Sequence, residues 1–168
     1  SALSLFASAL QPVAAVVATK FDVPEFEGLD TTTVVFVTVD RTSAGIASVC
    51  LDEAAIGKLA YEHLHATGLR TVTTFRYDES TFAIARERAF VETARARGTE
   101  IAQGWCMGEN QQDRSENPAA MVAWLKALPK PCGIFTGTDG WGRTVARYAQ
   151  LAGLRVPEDM LAGVGPAG

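Results

Sequence analysis

The sequence predicts an α/β protein with an open parallel sheet and helices on both of its faces. Three observations predict it. Short apolar or β-branched runs alternate with stretches of helical periodicity from residue 47 to the end. Helix stop signals, Gly68, Gly98 and Gly153, precede the next strand each time. Val34 to Val39 and Cys132 to Thr136 are largely apolar stretches, as expected of buried strands.

The elements follow in order. The opening SALSLFASALQPVAAVVATK is apolar but has no basic start, and Gln11-Pro12 interrupts it, so it reads as a helix end (Leu3 to Leu10), a turn and a buried strand from Val13 to Thr19 rather than a secretory leader. Val34 to Val39 (VVFVTV) is a second buried strand and Ala47 to Leu51 a short third one. Asp52 can cap the helix Ala54 to Thr67, where Ile56, Leu59, Ala60 and Leu64 share a face. Thr71 to Tyr77 (TVTTFRY) is a strand. Ser80 or Thr81 opens the next helix, with Ile84, Glu87, Val91 and Ala94 along one side and Phe90 adjacent. Glu100 to Trp105 is a strand, and Met107 to Glu116 a long polar loop. Asn117-Pro118 starts a helix whose stripe is Met121, Val122, Leu125 and Leu128. Cys132 to Thr136 is a strand. Val145, Tyr148, Ala149 and Ala152 face the sheet from the helix Gly140 to Ala152, and Met160 to Val164 is the last strand.

From Thr71 onward this gives four strands, enough for one compact lobe. The part before Thr38 gives two strands and little helix. The expected division is therefore 1–51, a partial amino-terminal lobe with its crossover, and 52–168, a carboxy-terminal lobe, in a chain that is a fragment or lacks ordered pieces on its amino-terminal side.

Composition narrows the function. Of 168 residues 48% are hydrophobic and 20% charged, enough for a core, and the net charge of −4 offers no basic face for nucleic acid. No apolar run reaches the ~18 residues of a membrane helix. Three separated cysteines, Cys50, Cys106 and Cys132, without a Cys-x-x-Cys pair, fit reduced thiols of a cytoplasmic protein better than a metal site or disulfides. Dinucleotide, P-loop and nucleophile-elbow signatures are absent from the sequence. Gly133-x-x-x-Gly137 lies in a strand, where small residues allow close packing. His63 and His65, the only histidines, stand two apart on a helix and cannot share a metal. No catalytic residue, metal or cofactor is expected.

What remains is polar groups at the carboxyl ends of predicted strands, where open parallel sheets bind ligands: Asp52-Glu53, Arg86, and Thr138-Asp139. Taken singly, Asp52 and Asp139 could cap helices, and Arg86 could pair with Asp78 or Glu79. Taken together, carboxylates that accept from hydroxyls and a guanidinium fork, beside an aromatic plate (Trp141, Phe82 or Phe75), are the chemistry of a sugar site.

Several stretches carry a resemblance: Asp52-Glu53-Ala54-Ala55-Ile56-Gly57-Lys58-Leu59-Ala60 with Glu62-His63-Leu64 and Gly68; Arg86-Glu87-Arg88-Ala89-Phe90; Trp124-Leu125-x-x-Leu128-Pro129-Lys130-Pro131-x-Gly133-Ile134; Asp139-x-x-Gly142-Arg143; and Gly153-Leu154-x-Val156-Pro157-Glu158-Asp159. Together they resemble the lactose/galactose-repressor family (LacI/GalR) of periplasmic-binding-protein-like (type I) domains. Within it they are most like xylose-operon transcriptional regulators, whose DNA-binding part is of the AraC type. The resemblance implies a two-lobed, non-catalytic sensor that closes on a sugar, a pentose such as xylose. Asp52 would touch sugar hydroxyls, Arg86 would grip the ring oxygen or hydroxyls, and the Thr138-Asp139 pair would line the cleft opposite. It also implies a homodimer, and DNA binding through a separate domain. Two departures stand out. Thr138 replaces the family's usual Asn, and the end Gly163-Val164-Gly165-Pro166-Ala167-Gly168 lacks the family's Gly-x-Asp. Other functions sharing the fold are an exported sugar-binding protein of a transport system, a small α/β enzyme acting on sugars or nucleotides, and a domain that only dimerises.

Overall fold

In a computed structural model the described residues are 15–19, 35–39, 47–77, 79–107 and 118–163. The chain divides into two compact units, Ser1–Leu51 and Asp52–Gly168. The helix expected at Leu3 to Leu10, the loop from 108 to 116, Asn117, Asp78 and the chain after Gly163 lie outside the described residues.

In the first unit, β1 (Ala15–Thr19), β2 (Val35–Val39) and β3 (Ala47–Val49) form a parallel sheet in the order β1-β2-β3. The second unit runs α1 (Glu53–Ala66), β4 (Thr71–Arg76), α2 (Thr81–Ala96), β5 (Glu100–Ile101), β6 (Trp105–Cys106), α3 (Pro118–Ala127), β7 (Cys132–Thr136), α4 (Asp139–Leu151) and β8 (Met160–Gly163). Its sheet is parallel throughout, in the order β5-β4-β7-β8, with β6 also paired to β4. The expected fold class is the observed one.

Side chains of the central strands alternate between two cores. Cys132 and Ile134 of β7 point toward α3 and α4, where they meet Met121, Leu125, Val145 and Ala149. Phe135 points the other way, toward α1 and α2, among Ala60, Leu64, Phe90 and Ala94. There Phe90 and Phe135 stack at 4.7 Å and 8°. Burying one such ring contributes about 1.5–3 kcal/mol. Each helix between 53 and 96 ends on a glycine in the left-handed region, Gly68 at φ 83° and Gly98 at φ 69°.

The structure corrects two helical faces. Leu59 and Ile84 are exposed rather than inward, and Gly57, Tyr61 and Ala83 are buried in their stead. The inward stripe of α1 is displaced because Tyr61 reaches a partner from inside: its hydroxyl meets Thr99 Oγ1 at 2.6 Å. The strand expected over Glu100 to Trp105 is broken into β5 and β6. Thr71 faces Glu100 but Phe75 faces Trp105, so this strand holds one extra residue, a bulge. Thr73 Oγ1 donates to the carbonyls of Ala102 and Gln103 at 3.1 and 3.0 Å, satisfying the interrupted ladder. Gly104 sits so close to β4 that a Cβ there would lie 2.6 Å from Thr74 Oγ1.

Candidate functional site

The site begins with the packing of α1 on α2. Gly57 is buried, and a Cβ on it would lie 2.2 Å from the carbonyl oxygen of Arg86. Without that Cβ the two backbones approach closely. One turn earlier on α1, Glu53 therefore faces Arg86 of α2, and its carboxylate takes the guanidinium Nε in an ion pair. Arg86 Nη1 donates to the carbonyl of Gly137, just past β7, at 2.6 Å. The arginine side chain is 13% exposed. It ties the start of α1 to the carboxyl end of the central strand.

An aromatic layer stands beside it. The guanidinium carbon of Arg86 lies 5.1 Å from the ring centroid of Phe82, one turn back on α2. Phe82 stacks on Trp141 at 6.1 Å and 21°, and Trp141 on Tyr77 at 6.3 Å and 24°. Gly137 serves this layer too, because a Cβ on it would sit 3.0 Å from Trp141 Cζ3. Two helix starts complete the edge. Asp52 caps α1, accepting from the Ala55 amide at 2.9 Å. Thr138 caps α4: its Oγ1 accepts from the Trp141 amide at 3.4 Å, and its hydroxyl proton is still a donor. Asp139 is the first residue of α4 and is exposed. Nearby, Glu87 pairs with Arg76 at 2.9 Å and accepts from Thr74 Oγ1, while Glu79 pairs with Arg76 at 3.2 Å.

Of the six residues singled out by sequence, the structure links four: Glu53 binds Arg86, and Arg86 reaches through Gly137 and Phe82 to Thr138 and Trp141. Asp52 is next to Glu53 along the chain, but the contact its carboxylate makes is the cap. Asp139 heads α4 at the same sheet edge. Several readings are corrected. Arg86 pairs with Glu53 rather than Glu79, because Glu79 is held by Arg76. Thr138, not Asp139, caps α4. Phe75 is no ligand plate, since it is 2% exposed in the core, 6.3 Å from Trp124. Sequence reading missed Tyr77, the Arg76–Glu87 pair and the part played by Gly57 and Gly137. A glycine inside a helix one turn after an acid was the available signal, because glycine is unfavourable there unless something approaches it.

His65 stacks on Tyr61 at 5.4 Å, and both histidines are exposed. Among the described residues no group of three or more His, Cys, Asp or Glu could hold a metal ion, and no helix is long and apolar enough to cross a membrane.

Residues 61–163 match the model of the periplasmic binding protein-like domain, well over half of the chain. The chain belongs to that family. No curated protein matches the sequence. Solved structures of the fold do. A periplasmic binding protein/LacI transcriptional regulator from Alkaliphilus metalliredigens, complexed with D-xylulofuranose, superposes with a TM-score of 0.70 at 22% identity, over 95% of this chain and 60% of its own. A LacI family transcriptional regulator from an Arthrobacter species, in complex with lactose, gives 0.72 at 19% identity, over 96% and 59%. The xylose-binding transcription activator XylR gives 0.70 at 22% identity, over 88% and 41%. This periplasmic binding protein-like chain thus spans 60% or less of the length of these proteins.

Proposed function

We propose that this chain is the effector-sensing part of a bacterial transcription regulator, a non-catalytic sensor whose ligand is a sugar, with a pentose such as xylose the first candidate. The observation that carries the reading is Arg86. It is fixed by Glu53 and the Gly137 carbonyl at the carboxyl end of β7, with the Phe82–Trp141–Tyr77 rings alongside. A guanidinium so held offers its outer Nη2 edge to hydroxyls, the Thr138 hydroxyl and the Asp52 and Asp139 carboxylates add polar partners, and a ring face takes the apolar side of a sugar. Relatives of the same fold support the choice of ligand, since one is described as xylose-binding and others hold xylulofuranose or lactose.

In this reading 52–168 is the carboxy-terminal lobe and 1–51 belongs to the other lobe and the crossover. A sugar shifts the protein toward a closed state only as far as it binds that state better. Closure then re-aims the partner copy of a cytoplasmic homodimer and a DNA-binding domain elsewhere in the protein, of AraC type if the xylose-regulator likeness extends that far.

Calorimetric titration of the intact protein with D-xylose, D-xylulose, L-arabinose and lactose tests it. Saturable heat from at least one sugar is expected. Arg86→Ala should weaken that binding by roughly 1.5–3 kcal/mol, the scale of one charge-assisted hydrogen bond, with an unchanged circular dichroism spectrum. No heat from any of the four, on protein of verified fold, overturns the sugar reading.

A further inference from the structure

We infer that Glu53 sets the charge class of the ligand: by occupying Arg86 it makes this sheet edge a site for a neutral polyol and closes it to phosphorylated or carboxylated sugars. The polyol half of this statement rests on the function proposed above; the exclusion of anions does not.

The positive charges at this edge already have partners. An arginine at the carboxyl end of a parallel strand, next to helix N-termini, is ordinarily an anion trap. Here the two arginines whose side chains are turned into this edge are both paired. Arg86, 13% exposed, is bound to Glu53, and Arg76, 14% exposed, to Glu87 and Glu79. Of the helix starts at this edge, those of α1 and α4 are answered as well, whereas that of α2 receives no side-chain cap hydrogen bond and carries no acid in its first turn. The α1 terminus receives the Asp52 carboxylate and carries Glu53 in its first turn; the α4 terminus receives Thr138 Oγ1 and carries Asp139. Arg143 is exposed, one turn further along α4.

An incoming phosphate would find only the outer Nη2 edge of a guanidinium that Glu53 already neutralises, would approach Asp52 and Asp139 of like charge, and could take Nε as well only by displacing Glu53 from a mostly buried pair. A hydroxyl meets no such obstacle. It donates to a carboxylate and accepts from a guanidinium that is already neutralised, so both members of the pair can serve it at once. Glu53 thus acts on the ligand through Arg86, as a positioning and specificity-determining residue.

The test titrates inorganic phosphate, at constant ionic strength, into the intact protein, its Glu53→Gln variant and the double variant Glu53→Gln/Arg86→Gln. Tryptophan fluorescence is the readout, because Trp141 lies in the aromatic layer. The wild type is expected to take up no phosphate through Arg86. Glu53→Gln should gain affinity by at least about tenfold, the scale of one freed charge-assisted contact, and the double variant should lose the gain. A purely structural role for Glu53 would leave all three equally blind to phosphate, and that result overturns the inference. So does wild-type phosphate binding that Arg86→Gln abolishes. A comparison that needs no Glu53 variant sets D-ribose against D-ribose 5-phosphate on the wild type: equal or tighter binding of the ester also overturns it. Silence from every neutral sugar, with phosphate behaving as stated, sinks the sugar reading and leaves the exclusion of anions standing.

Discussion

Arg86 shows how little freedom a single side chain retains once three elements hold it. Its Nε is taken by α1, its Nη1 by the end of β7, and its flat face by Phe82. Such a group keeps its geometry without a ligand, so the ordering cost of a flexible arginine is met on folding rather than on binding. The cysteines illustrate the opposite extreme of residue-level design. Cys132 is fully buried in β7, and burial pushes its thiol up to about 11. Near neutral pH it is both enclosed and protonated, hence a poor nucleophile. Cys50 is exposed and Cys106 half-buried. Iodoacetamide followed by mass spectrometry should label Cys50 first and Cys132 only after denaturant is added. Equal rates at Cys50 and Cys132 would mean that β7 is not covered as described.

At the scale of elements, the α1–α2 contact decides the site. An alanine is normally preferred to glycine within a helix by about 1 kcal/mol. At position 57 that preference should be reversed, because the new Cβ would fall 2.2 Å from the Arg86 carbonyl and 3.0 Å from Ala89 Cβ. Gly57→Ala is expected to destabilise by about 1–3 kcal/mol, read from urea unfolding, and to loosen the Glu53–Arg86 pair. A stabilised variant would show that the helices do not meet there. The sequence displayed most of what surrounds this contact. β7 and the buried face of α4 were legible because an apolar run and a 3.6-residue period have one interpretation each. The inward face of α1 was not, since Tyr61 and Gly57 have no marked hydropathy and are buried for reasons outside their own helix: a hydroxyl partner at Thr99 and a neighbouring backbone. The bulge between β5 and β6 was equally hidden, because only pairing with β4 reveals the extra residue. Among the site residues, Arg86 and Glu53 could be nominated one by one, but their pairing depends on Gly57, some thirty residues from Arg86 in sequence.

The turn that leads into β8 carries its own pH dependence. Arg155 donates to the Asp159 carboxylate from Nε at 3.1 Å, from Nη2 at 2.7 Å and from its backbone amide at 2.9 Å. Those bonds hold the acid near 2, below its ordinary 3.8. The folded-state value is the lower one, so the contribution of Asp159 is complete above pH 3.8 and fades as pH falls through about 2. In Asp159→Asn, the melting temperature should fall less steeply between those two values than in the wild type. Parallel curves would mean that the turn does not hold the carboxylate in the folded state.

For the whole molecule, the order β5-β4-β7-β8 places β4 and β7 at the centre of the second unit, each with a strand on either side and helices on both faces. Thr71 to Phe75 and Cys132 to Thr136 are all buried. Their amides can exchange with solvent only when both cores open, so they report the global stability of that unit. In the first unit β3, among the described residues, pairs with β2 alone, and its residues are exposed, Val49 by 62%. Hydrogen exchange followed by mass spectrometry should therefore find the slowest amides in β4 and β7 and fast ones in β3. The end of β7 that carries Gly137, to which Arg86 of α2 is tied, would then be anchored in the most protected part of the chain. The sensor proposed above requires such a surface, one that its ligand does not deform. Protection in β3 equal to that in β7 would contradict this division, because it would require a cover over β3 and a shared opening of both sheets.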